Sequence, residues 1–495
     1  MKKNVFALSV AVALAGFAGA AVAEVPFIKA TVANGAATPA TKFEVNSGGI
    51  GHILLQPYYT VQGQRNTLMN IINTDEENGK VVKVRYRGAR NSDDVFDFYV
   101  FLSPGDVWRT RQYRNGEETF LELPDTSCTL PSRNVIAKRA FKLDRVYDGK
   151  DQGEVREGYV ELLTAANIVE NTELYKTIKH KRKTGEVVCD SGVIEDAMEA
   201  LKSDDQAGAD AAKKLGLTFP TAGITGHWAV TEVSTDTTVT GNLLAVVATT
   251  KDGVHAQGNL VVAPQNSLNA PLEWRTDGTS DPLLSKGKVI AQNFDFPDLS
   301  TPYLSNATTP ADQANHLSDG LAVKSIINEF VVNHDVDFRT DWVLSMPTRR
   351  YGVAIDYAAG APVYTDGNTY FGAKNTVFAK VDGVPQVAVT GISPKFYDDN
   401  ERSLGADVSP GRTAVLAGEV NVITFHANAD RSVLGAMIST QRVDPHLDGE
   451  KINAGWGRVA LKSNDGPNGL PVIGYAALQA GGKALGFTWP HASTR

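Results

Sequence analysis

Two cysteines, Cys128 and Cys189, are the residues of this 495-residue chain whose pairing chemistry follows from their number alone. An isolated pair about sixty residues apart fits one structural disulfide, because redox pairs lie close together as C-x-x-C and zinc takes four ligands at local spacing. Closing such a loop stabilises a fold by ~4 kcal/mol on chain-entropy grounds. The nine histidines are scattered, with no H-x-H or H-E-x-x-H among them, so no metal site is expected from them. Three acidic turns gather oxygen ligands: Asp75-Glu76-Glu77-Asn78-Gly79, Asn91-Ser92-Asp93-Asp94 and Asp398-Asp399-Asn400-Glu401. None has the EF-hand spacing, and turns favour Asp and Asn anyway. Calcium is therefore the one cofactor candidate, and the expectation is none.

The common catalytic signatures are missing. There is no phosphate-binding G-x-x-x-x-G-K-[ST] and no G-x-S-x-G elbow, and Gly48-Gly49-Ile50-Gly51 lacks the third glycine of a dinucleotide fingerprint. A hydrolase can place paired carboxylates by fold rather than by spacing. Asp341, Glu329 and Asp356 would be its acids, but nothing in the sequence pairs them. The reading leans away from an enzyme. Two non-catalytic features remain. Lys176, Lys179, Lys181, Arg182 and Lys183 form a dense basic run that could contact an anionic surface, or could simply be a solvated loop. Tyr58, Tyr59, Trp108, Trp228 and Trp342 could stack on a sugar ring, or could anchor a core as aromatics usually do.

The elements that must carry these residues are mostly strands. In Lys80-Val81-Val82-Lys83-Val84-Arg85-Tyr86-Arg87, apolar residues alternate with cations, which predicts a strand with one solvated face. Asn78-Gly79, between this run and the one at 66–73, predicts a hairpin. Runs at 52–61, 95–102 and 159–163 complete a first antiparallel sandwich across roughly 40–170. Residues 193–215 repeat apolar side chains near every 3.6 positions, predicting one amphipathic helix or two, with a cap at Ser203-Asp204-Asp205. Later strands are expected at 228–233, 243–249, 258–262, 326–332, 342–346, 384–389, 419–425, 433–438 and 470–477. The predicted organisation is all-β: a signal peptide at 1–23, and two antiparallel β-sandwich (Ig-like) domains at 24–190 and 219–495. A helical connector fills 191–218, and a long surface excursion runs near 277–320.

The leader is read from Lys2 and Lys3, the apolar stretch from Asn4 to Ala18, and Ala21-Val22-Ala23, a small-x-small cleavage site. Glu24 follows it, so no lipid anchor is expected. Loss of both lysines takes the net charge from −8 to −10, which argues against nucleic acid as a partner. No later run is apolar for the ~18 residues that a spanning helix needs. The ending His491-Ala492-Ser493-Thr494-Arg495 is unlike a terminal membrane-barrel strand. Export to the cell surface or medium is the expectation, with the periplasm as the other compartment.

Several blocks resemble a group of exported proteobacterial proteins described only as cell-surface or hypothetical proteins. They are His52 to Val61, Ile71-Ile72-Asn73-Thr74, Gly79 to Asp94, Leu102 to Trp108 and Arg156 to Glu161 in the first half. In the second they are Thr340 to Arg350, Glu419-Val420-Asn421-Val422 and Gly469 to Gly474. The resemblance spans most of the mature chain and implies one architecture throughout. It implies no activity and no catalytic residues. The function expected is an exported, non-enzymatic structural or adhesive β-sandwich protein, assembling with itself or with surface components. A binding module for a small ligand or glycan is the first alternative, and a secreted hydrolase the second.

Overall fold

Alternating side chains become paired strands through most of the chain, and the fold is all-β. The computed structural model describes residues 39–143, 146–201, 206–260, 303–307, 310–333, 337–357, 360–364, 367–409, 416–425, 432–462, 469–480 and 485–495. The expected leader at 1–23, the expected cap at Ser203-Asp204-Asp205 and the expected excursion up to residue 302 lie outside them.

Among the described residues, thirteen strands build the first half: β1 Lys42–Val45, β2 Ile53–Thr60, β3 Arg65–Asn73, β4 Gly79–Gly88, β5 Asp94–Leu102, β6 Val107–Asn115 and β7 Glu118–Glu122, followed by β8 Cys128–Leu130, β9 Glu157–Ile168, β10 Leu217–Thr218, β11 Ile224–Glu232, β12 Thr237–Asn242 and β13 Leu244–Thr249. One sheet runs β1-β13-β2-β9-β4-β5-β8, with β10 on β9. The other begins β7-β6-β3-β11-β12 and continues through Leu485–Pro490 and Ile473–Ala480 into the strands of the second half. Thus β10, β11 and β13, from the region assigned by sequence to the connector and the second sandwich, take partners from residues 42–168, while β12 lies between β11 and Leu485–Pro490. Apolar faces of the two sheets meet in a core holding Leu54, Tyr58, Val84, Phe98, Trp108 and Trp228. A second core, around Phe330, Trp342, Phe396 and Phe425, fills the C-terminal half.

The hairpin expected at Asn78-Gly79 does not form. β3 pairs with β6 and β11, whereas β4 pairs with β5 and β9, so the turn carries the chain from one sheet to the other. Asp75 accounts for this: its carboxylate accepts the backbone amides of Glu77 and Asn78 at 3.0 and 2.8 Å, and the Asn73 amide donates to the Asn78 and Ser103 carbonyls. Side-chain bonds of this kind turn the backbone without needing a ladder partner.

The solvated face expected on β4 is also absent: all ten residues of Gly79–Gly88 are buried. The excursion expected to run to Gly320 ends sooner. Tyr303, Leu304, Leu317 and Leu321 are buried, the last two in a helix at Pro310–Leu321 that packs on the first sheet. Polar Asp, Gln, Asn and Ser between them hid the i, i+4 spacing that makes this helix amphipathic. Residues 258–260 and 433–438 are irregular rather than strands. The connector forms helices at Ser191–Ala200 and Gln206–Lys214, the first capped by Asp190, whose carboxylate accepts the amides of Gly192 and Val193.

Candidate functional site

Cys128 and Cys189 form the disulfide, joining the edge strand β8 to the residues just before the Ser191–Ala200 helix. Beside it opens a cleft of about 560 Å³, bounded by Thr126, Pro131, Arg133, Val187, Ile194 and Glu195. Adjacent to that cleft, three ligand-type side chains converge. Asp106 comes from the turn between β5 and β6, Asp125 from the segment before β8, and His180 from the basic run. One oxygen or nitrogen from each lies within 4.8 Å of the others.

The geometry of this trio is set by short-range bonds. Asp106 accepts the backbone amides of Ser103 and Val107 at 3.2 and 2.8 Å, and the Ser127 hydroxyl at 3.2 Å. Asp125 accepts the Ser127 amide at 2.8 Å. His180 Nε2 lies 3.1 Å from the Thr126 hydroxyl, which leaves Nδ1 facing Asp106 Oδ2 at 3.6 Å. Burial pushes the Asp106 carboxyl up, His180 pulls it down, and Asp125 pushes it up again. One imidazole nitrogen and two carboxylate oxygens are donors of the kind that hold a divalent cation. Sequence spacing could not reveal this trio, since its members are 19 and 55 residues apart and meet only through the β5–β8 pairing and the disulfide.

The basic run does not present one charged surface. Lys176 pairs with Glu173 at 2.7 Å, Lys181 pairs with Glu186 at 3.3 Å, and Lys179 donates to the Tyr175 hydroxyl at 2.9 Å. Arg182 and Lys183 stand exposed. The five aromatic candidates lie in the interior: Tyr58, Tyr59, Trp108 and Trp342 are fully buried and Trp228 is 3 % exposed, so no ring face is open to a sugar. Trp228 instead packs on Tyr475, and Trp342 on Phe425. Among the described residues, Trp456 is an exposed aromatic, paired with a half-buried one. Trp456 stacks on Tyr397 with ring centroids 4.5 Å apart, on adjacent strands and beside Glu329 in register.

The three acidic turns are engaged by the protein's own cations. Asp75 holds Lys80 at 2.9 Å, Asp93 faces Arg350 at 3.4 Å, and Asp398 holds Arg402 at 2.6 Å. Of the proposed hydrolase acids, Asp341 is fully buried and accepts the Ser432 hydroxyl and Leu434 amide at 2.6 and 2.9 Å. Burial pushes its carboxyl up despite these bonds. Glu329 is exposed on an outer face. The side chain of Asp356 lies outside the described ones.

A large collection of charge-bearing side chains is buried where the two halves meet. Arg87 pairs with Glu161 at 3.1 Å and donates to the Ser92 carbonyl and the Tyr351 hydroxyl, and that hydroxyl donates to Glu161 at 2.7 Å. Arg349, 2 % exposed, pairs with Glu419 at 2.7 Å and donates to the Arg90 and Ala417 carbonyls. Arg350 donates to the Asn91 carbonyl at 3.0 Å. Gly158 allows β9 to approach this seam, because a Cβ there would lie 1.8 Å from the Arg87 carbonyl oxygen. Four blocks of the resemblance converge here: Gly79 to Asp94, Arg156 to Glu161, Thr340 to Arg350 and Glu419 to Val422.

No known protein family, curated protein or solved structure matches the chain. No helix among the described residues is long and apolar enough to cross a membrane. What fold and site define is an all-β protein closed by one disulfide, with a buried ionic seam at its centre.

Proposed function

We propose that the protein is an exported, non-enzymatic structural component of the bacterial cell surface, of the kind its sequence blocks resemble. The observation that carries this reading is the fate of those blocks. Their arginines, carboxylates and tyrosines are buried against one another and join the halves of the chain, as parts of a scaffold do. The Cys128–Cys189 bond supports it, because disulfides persist in oxidising compartments. Subcellular fractionation with protease shaving of intact cells is the test. Digestion in intact cells is expected. Full protection, with release by osmotic shock, would move the protein to the periplasm and count against a surface role.

A binding module is the second reading, and the exposed Trp456 ring, stacked on half-buried Tyr397, is what favours it. Its test is a glycan array read with the intact protein and with Trp456→Ala; signal lost in the variant would raise this reading above the first.

A further inference from the structure

We propose that the cleft behind Arg90 is a binding site for a small monocarboxylate. This cleft, of about 160 Å³, lies on the seam. Arg90 reaches it from just after β4, Gln386 from the hairpin Thr376–Val381/Val384–Val389, and Thr440 from the strand Thr440–Leu447. Val381, Ala388, Val420 and Ile438 form apolar walls.

Three polar atoms of this one lining have no hydrogen-bond partner: Arg90 Nε, Gln386 Nε2 and Thr440 Oγ1. Arg90 is 5 % exposed and Gln386 2 %. Buried donors are seldom left unsatisfied, since each costs about 1–3 kcal/mol when they are. Two of the three atoms can only donate, one from a guanidinium, and the hydroxyl can donate as well. The complementary group is an anion with several lone pairs on adjacent oxygens, which describes a carboxylate. The apolar walls suit a short alkyl tail, and the volume restricts it to a few carbons. A cation would meet the guanidinium, and a doubly charged phosphate would meet Glu154 and Asp382.

Glu154 also gives the site a pH dependence. Glu154 is paired with Arg90 through Nη1, and Asp382 lies 3.9 Å from Nη2. Burial pushes Glu154 up to about 7; Arg90 opposes this, while Asp151 and Glu157 add to it. As the pH falls below 7, Glu154 takes up a proton and the Arg90 charge becomes available to the ligand. Binding therefore tightens between pH 8 and pH 6.

The experiment is a thermal-shift and NMR titration of the purified protein with sodium propionate. Sodium chloride at equal ionic strength and neutral propionamide are the controls. A saturable propionate-specific rise in melting temperature, larger at pH 6, is expected. Thr440→Val and Gln386→Leu remove groups that make no side-chain bond within the protein, so both variants should fold. Each should weaken propionate binding roughly tenfold, as loss of one charge-assisted hydrogen bond does. Equal effects of propionate and chloride, or undiminished binding in the double variant, would overturn the proposal. So would a cleft shown crystallographically in propionate to hold water alone.

Discussion

The seam around β4 and the loop at 176–183 are both rich in cations, yet they have opposite fates. On β4, Lys83, Arg85 and Arg87 are buried, and the carboxylates they pair with stand on the neighbouring strands β5 and β9, mostly one step along the ladder. Lys83 pairs with Asp97 on β5, Arg85 lies 3.9 Å from Asp94 on β5 and 3.8 Å from Glu161 on β9, and Arg87 pairs with Glu161 at 3.1 Å. Sheet register fixes these pairs, and the second half closes over them with Arg349, Arg350 and Tyr351. In the loop, Lys176 and Lys181 find carboxylates only within their own segment, in water, where such pairs contribute little. The same residue type is structural in one place and solvating in the other. Cross-strand register, supplied by neighbours distant in sequence, makes the difference.

Breaking the seam should have the largest effect. Arg349→Met leaves Glu419 buried without its partner and should lower unfolding free energy by ~3–5 kcal/mol in urea titration. Adding Glu419→Leu should restore much of that loss. A cost below ~1 kcal/mol for the single variant would mean that the seam does not hold the halves together.

The loop depends on its cross-link instead. Cys128→Ser with Cys189→Ser should cost roughly 2–4 kcal/mol. In the intact protein, trypsin should cut at exposed Arg182 or Lys183 into two fragments that stay linked until reduction, because the cysteines flank the cut. Fragments that separate without reductant would contradict this.

Glu154 sharpens the comparison through pH. Its folded-state pKa, about 7, lies above the ordinary carboxylate value. Its contribution to stability is therefore fully present below the unfolded pKa of ~4.3 and is lost as pH rises through 7. Relative to Glu154→Gln, the wild type should lose roughly 2–3 kcal/mol between pH 4.5 and 8, measured by urea titration at each pH. A pH-independent difference would refute it. The smallest effect is expected in the loop: Lys176→Ala and Lys181→Ala should each change stability by less than ~0.5 kcal/mol in the same titration.

The sequence alone determined the all-β class, because period-two alternation and turn residues are local properties. It also indicated the disulfide, because two cysteines leave one pairing. The connector helices followed from their 3.6-residue periodicity. It misread β4 as half solvated, because alternation shows which residues share a face but not what covers it. Likewise Tyr58, Tyr59, Trp108, Trp228 and Trp342 could be named as aromatics, but their burial depended on which sheet lay opposite. The path of β3 and β4 into different sheets turned on one Asp75 turn. The meeting of Asp106, Asp125 and His180, and the closing of Arg349 onto Glu419 and Arg90, required the tertiary structure. Contacts between distant segments are set by packing of whole sheets, for which no local pattern codes.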